Sequence, residues 1–191
     1  MQQLNATAHK VLDVAEKFTQ LNGFNAFSYK DLQNEVGVKT SSIHYYFPTK
    51  QDLAFVMAER YLNRFQESLA AIEQTQERGI NRLVALGQIF IHVVNEGKFC
   101  LCGMLASDML SLPANVNSKL EAFFTCIEDW VVKTVHLGVN QNEIDSSIDA
   151  KSFAQQFLAS LEGGMLIARI KNTTNDFENM VKNSIEQITI K

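Results

Sequence analysis

Between Ser28 and Lys50 the chain reads SYKDLQNEVGVKTSSIHYYFPTK, and few folds accommodate that punctuation. Ser28, with Asp31 three residues on, has the spacing of a capping box that opens a helix. Gly37 marks a turn, because glycine tolerates the positive φ on which helices end. Over Lys39–Tyr46, Ile43 is the apolar position, and with Phe47 it points back toward a preceding helix. Pro48 interrupts, and Thr49 with Asp52 opens a new helix. Two short helices joined at a turn, then a long one, make the layout of a helix-turn-helix of the kind that reads DNA.

The rest of the chain repeats the helical period without a convincing strand. Ala8, Val11, Leu12, Ala15 and Phe18 follow the i, i+3, i+4, i+7 stripe of an amphipathic helix that Gly23 ends. The helix opening at Lys50 carries Leu53, Met57, Tyr61, Phe65, Leu69 and Ile72, a length expected to couple the parts on either side of it. Residues 80–96 are apolar on most faces. A break at Gly97 leads into Phe99–Leu112, stopped by Pro113. A stripe from Val116 to Val135 is closed by Gly138, Asp149 begins a helix through about Lys171, and Asp176 begins the last. The expected fold is all-α with about nine helices: a DNA-binding head at residues 1–50 and a larger helical body at 51–191, whose role the helical period does not give.

Charge supports that division. The net charge is −4, which argues against a general polyanion binder. Residues 1–50 nevertheless hold five lysines against four acids, leaving the body at −5. No apolar run reaches the ~20 residues of a membrane helix, and the polar N-terminus lacks a signal-peptide layout. Three cysteines form no disulfide framework, so a reducing, cytoplasmic setting is the default. There is no glycine-rich phosphate loop, nucleophile elbow or well-spaced metal motif, so an enzyme, a cofactor and a metal site are not expected.

The candidate reading helix presents Thr40, Ser41, Ser42, His44 and Tyr45 as polar or amphipathic groups. Hydroxyls and imidazole can meet phosphates or base edges, and a Tyr ring can pack on a sugar or a thymine methyl. At the start of the next helix, Lys50 and the exposed backbone N–H groups could together hold a phosphate. The bland alternative is an ordinary helical hairpin with a solvated polar face.

The stretch from Val11 to Tyr61 resembles the N-terminal domain of TetR-type transcriptional regulators. The resemblance is carried by Ala15-Glu16, Gly23-Phe24, Ser28, Asp31-Leu32, Gly37-Val38, Ile43, Tyr46-Phe47, Lys50 and Leu53. It implies an all-α homodimer, with 51–191 as its regulatory and dimerisation body, that represses from a palindromic operator in double-stranded DNA and leaves when an inducer binds. Carried over by position, Thr40, Ser41, Ser42, His44 and Tyr45 face the major groove, and Ser28, Tyr29, Tyr46 and Lys50 meet phosphates. The family usually opens this helix with Ser or Thr where this chain has Lys39. Either the cap shifts to Thr40 or Lys39 adds a phosphate contact.

In the body, Lys98–Asp108 resembles a shorter segment of some TetR-type regulators, including a cysteine-containing subgroup that represses an N-ethylmaleimide reductase and senses electrophiles. The alignment puts Cys100 at that cysteine's position. A thiolate at a helix start is stabilised by exposed N–H groups, and Cys102 is a conceivable resolving partner if the helix locally unwinds. The alternatives are that Cys100, Cys102 and Cys126 are inert core residues, or that His92 or His136 joins two thiolates around a metal. Phe90, Met104, Phe123 and Trp130 could line an apolar pocket for a small-molecule inducer, though residues at this spacing also make ordinary core. Dimerisation is expected through Phe153, Gln156, Phe157, Ser160, Leu161, Gly164 and Ile167 on one helix and Phe177 and Val181 on the next, giving a four-helix interface. A DNA-binding protein of the same fold that senses no small molecule stays open as the second reading.

Overall fold

The computed structural model describes residues 4–190. Its helices are α1 (Ala6–Asn22), α2 (Tyr29–Val36), α3 (Thr40–Tyr46), α4 (Lys50–Thr75), α5 (Gly79–Asn95), α6 (Leu101–Ala106), α7 (Ala114–Asn140), α8 (Ala150–Lys171) and α9 (Thr174–Glu186). Short 3₁₀ turns lie at Phe24–Ala26 and Met109–Ser111. Among the described residues the one β contact is an isolated antiparallel bridge between Ile144 and Thr189. The chain forms two compact units, Met1–Asn63 with Lys98–Glu121, and Arg64–Gly97 with Ala122–Lys191.

In the first unit, α1 is capped by Asn5, whose side chain accepts from the Ala8 N–H at 3.0 Å. Its buried stripe of Ala8, Val11, Leu12 and Ala15 meets α2 and α3. Ile43 and Phe47 are fully buried there, and each contributes about 1.5–3 kcal/mol by leaving water. Gly23 and Gly37 take φ of 100° and 78°, the positive values the two helix ends require. Arg60 of α4 clamps α1 through Asp13 at 2.7 Å and Glu16 at 3.0 Å. The α6 segment also packs on α1. The buried side chain of Gln20 donates to the Phe99 carbonyl at 3.0 Å, and the Phe99 N–H donates to the Gln20 carbonyl at 3.1 Å.

The second unit is built on mutual packing of α5, α8 and α9. Small residues set the approach. A Cβ on Gly87 would fall 2.5 Å from Val181, and one on Gly164 within 2.9 Å of Phe177 and Met180. The start of α5 has no cap from its own Arg78. Distant side chains supply it: Gln141 accepts from the Gly79 N–H at 2.9 Å and Glu143 from the Ile80 N–H at 3.2 Å, while Arg78 pairs with the same Glu143 carboxylate.

Two sequence expectations change here. Gly138 does not end α7, which runs on to Asn140. Its missing side chain instead leaves room for Ile144, whose Cδ1 would lie 2.5 Å from a Cβ there, while the missing side chain of Gly79 lets the Gly138 backbone approach. Phe99–Leu112 is not one helix but six residues of α6 and a 3₁₀ turn. The Ser107 and Ser111 hydroxyls there donate to the Met104 and Asp108 carbonyls, local bonds that compete with helix continuation.

Candidate nucleic-acid interface

The α2–α3 corner is held by short-range chemistry. The capping box forms as the spacing predicts: the Ser28 hydroxyl and backbone N–H both donate to the Asp31 carboxylate at 2.7 Å. Those bonds hold the Asp31 carboxyl below its usual pKa of 3.8. The Tyr29 hydroxyl lies 2.8 Å from the Phe47 carbonyl and 2.6 Å from that of Thr49, tying α2 to the far end of α3. Burial, with a smaller contribution from Asp52, raises its pKa well above the ordinary tyrosine value.

On α3 itself, Ile43 anchors the helix in the core while Ser41, His44 and Tyr45 are exposed and Ser42 is half-exposed. Tyr45 is 62% exposed and meets Tyr46 edge-on, with centroids 4.9 Å apart. His44 Nδ1 lies 3.1 Å from the Pro48 carbonyl. A carbonyl can only accept, so Nδ1 carries the proton and Nε2 is the ring atom left to act outward. His44 also packs on Tyr29, centroids 4.7 Å apart, which restricts the ring.

Lys39 is exposed and makes no side-chain cap. The cap comes from Gln33 of α2, whose Oε1 accepts from the Thr40 N–H at 3.0 Å and from the Thr40 hydroxyl. The sequence reading missed Gln33, because a cap reaching back seven residues from another helix has no local signature.

Lys50 has a different occupation from the one expected. Its ammonium donates to the Phe24 carbonyl and, at 2.6 Å, to that of Phe27, and lies 4.6 and 4.2 Å from the two ring centroids. Burial lowers its pKa, partly opposed by Asp108 and Asp31. The start of α4 also carries an anion already, since Asp52 accepts from the Thr49 N–H at 3.0 Å and its hydroxyl at 2.7 Å. The ammonium therefore fastens the turn before α2, and the phosphate role assigned to it by position has no geometric support.

Beside the outward face of α3 lies an open cleft of about 330 Å³, lined by Asn5 and Thr7 of the α1 start and by Ser41, Ser42, Tyr45 and Tyr46. Asn5 and Thr7 were also missed by the sequence reading, because only the fold brings the chain's start beside residues 41–46.

The candidate sensing residues divide between the units. In the first, Cys100 and Cys102 are buried and Met104 lies against Gly23, 3.6 Å from where a Cβ there would be. In the second, Phe65 brings Phe90 and Phe123 together, with centroids at 6.1 and 5.0 Å. Trp130 is buried, and its Nε1–H has no acceptor among the described residues. Cys126, the most exposed of the three thiols, has its pKa raised by burial. His92 and His136 are exposed, and no group of three metal-ligating side chains assembles among the described residues.

Of the residues expected at a dimer interface, Phe157, Leu161, Phe177 and Val181 are buried within the chain's own core. Those four are therefore withdrawn from the surface. Gln156 is exposed, and Phe153, Ser160 and Gly164 are half-exposed. Beside them on α8, Leu166, Ile167 and Ile170 stand 53%, 53% and 79% exposed.

A reading helix seated on a three-helix head, followed by a helical body, defines a helix-turn-helix transcription regulator. Residues 11–57 match the family described as bacterial regulatory proteins, tetR family, and residues 79–183 match the tetracyclin repressor-like C-terminal domain. The chain belongs to the TetR family, whose members are DNA-binding transcription factors and not enzymes. It is similar to a TetR-family regulator from Agrobacterium tumefaciens, with 28% identity, a TM-score of 0.92 and coverage of 97% of this chain and 98% of that one. A TetR regulator from Legionella pneumophila is 30% identical at a TM-score of 0.85, covering 98% and 100%. The reduced form of NemR from E. coli shares the fold at 20% identity and a TM-score of 0.82, covering 96% and 97%. Against curated proteins the sequence finds no match. Among the described residues, no helix is long and apolar enough to cross a membrane.

Proposed function

We propose that this chain is a homodimeric repressor that occupies a two-fold symmetric operator and leaves it when a small-molecule inducer binds the body. The observation that carries the reading is the outward face of α3, where Ser41, Ser42, His44 and Tyr45 are presented around a fully buried Ile43. These four side chains meet base edges, while Lys39, Tyr46 and the Asn5–Thr7 rim of the cleft take the flanking phosphates. Ser28, Tyr29 and Lys50 act on DNA indirectly, by holding the corner in shape.

Dimerisation supplies two heads for half-sites about 34–36 Å apart or multiples of that. Its surface is the exposed part of α8, with Leu166, Ile167 and Ile170 as apolar centre and Phe153, Gln156, Ser160 and Gly164 around it. The inducer reading is supported by the buried Trp130 N–H, a donor whose burial without an acceptor costs about 1–3 kcal/mol and which a ligand acceptor would satisfy. Modification of Cys100 or Cys102 is the less favoured trigger, because both thiols are buried away from a reagent in solution, whereas reactive cysteines are partly exposed. Work on DNA places the protein in the cytoplasm.

The test is selection of duplexes from a randomised pool, followed by titration at several salt concentrations. A palindromic consensus is expected, with Tyr45→Ala binding it about tenfold more weakly, ~1.4 kcal/mol. Selection of no consensus, or unchanged binding in the Tyr45 variant, defeats the reading. The single Trp130 makes its fluorescence the readout for inducer screening.

A further inference from the structure

Thr40 opens α3 and lies in the stretch expected to read DNA, yet both its donors are already engaged. Its N–H gives a 3.0 Å bond to Gln33 Oε1, and its hydroxyl hydrogen goes to the same oxygen. A backbone N–H can only donate, so the orientation of the Gln33 carboxamide is fixed by chemistry. Lys39, the residue at the cap position itself, has no side-chain acceptor to offer, and its side chain makes no cap bond. An α-helix leaves its first N–H groups without partners, and a seven-residue helix has little internal bonding to hold it. The N-terminal end of α3 is therefore held by one side chain from α2.

We infer that Gln33 is a positioning residue for DNA reading: it caps the recognition helix from outside and fixes the polarity of Thr40. With its hydrogen given to Gln33, the Thr40 oxygen offers only lone pairs. It accepts from a base amino group, adenine N6 or cytosine N4, and does not donate to a phosphate or to guanine O6 or N7. Gln33 thus acts through Thr40, without touching the nucleic acid. The inference rests on the DNA-binding reading above.

The experiment uses the full chain and the duplex selected by the wild-type protein, with a scrambled duplex as the non-specific reference at the same salt. Gln33→Ala is expected to lower the specific-to-non-specific affinity ratio about fivefold while non-specific binding changes less than twofold. Ala favours the helix, so the variant stays folded, as its melting curve shows. Gln33→Ala combined with Lys39→Ser restores a cap from within α3, though not the Thr40 polarity, and recovers part of the ratio. Any loss of the lysine's charge lowers both affinities together and leaves the ratio intact. A ratio unchanged in Gln33→Ala, or a double variant as poor as the single one, overturns the inference. Failure of the wild-type protein to select any duplex instead overturns the DNA-binding reading itself.

Discussion

Replacing Lys50 by Met separates two roles that the sequence leaves superposed. The structure directs the ammonium at the Phe24 and Phe27 carbonyls and under both rings. Hydrogen bonds from a charged donor are each worth about 1.5–3 kcal/mol, and partly exposed cation–π contacts about 0.5–1 kcal/mol each. Against them stand about 1.5–2 kcal/mol of lysine side-chain entropy, and the desolvation that lowers the Lys50 pKa. Met retains most of the apolar stem, so the net loss is about 2 kcal/mol, or roughly 4–8 °C in Tm for a chain of this size. Denaturant unfolding with Tm as a second probe measures it. Binding to the selected duplex across salt concentrations supplies the contrast, since losing one phosphate contact reduces the slope of log K against log salt by about 0.9. Lys50→Met is expected to lose stability and keep the wild-type slope. A variant as stable as wild type with a slope reduced by about one would refute the reasoning and make Lys50 a phosphate ligand.

Gly79→Ala puts a Cβ 2.6–2.9 Å from backbone atoms of Gly138 and Thr134; backbone cannot swing aside, so a loss of about 1–3 kcal/mol in denaturant unfolding is expected. Ser28→Ala removes the hydroxyl bond, the largest of those holding Asp31 below 3.8, and keeps the backbone N–H bond, so the Asp31 NMR titration midpoint should climb part of the way toward that value. Because Asp31's folded pKa is depressed, its contribution to stability is present above pH 3.8 and lost as pH falls through the folded pKa. The stability gap between Ser28→Ala and wild type should therefore narrow on the acid side, and a pH-independent gap would contradict this. Leu166→Glu with Ile170→Glu places charge on the exposed α8 face. Sedimentation should show a shift toward monomer with helicity unchanged, whereas an intact dimer would move the interface elsewhere.

Interactions spanning three or four residues were legible in the chain before any coordinates. The Ser28–Asp31 and Thr49–Asp52 boxes, the positive-φ glycines at 23 and 37, and the buried faces through Ile43 and Phe47 all follow from helical geometry, which brings such neighbours together whatever the rest of the protein does. The helix-turn-helix was readable for that reason. Tertiary packing decided what depends on distant partners. Gln33 caps α3, Glu143 caps α5 across 63 residues, and Gln20 joins Phe99 across 79. Only the fold turned Lys50 inward, drew Phe157, Leu161, Phe177 and Val181 into the core, and left Leu166, Ile167 and Ile170 outside. A period of 3.6 marks an apolar stripe, but neither what covers the stripe nor which donor a buried acceptor meets is written in it, because both depend on segments far away in the chain.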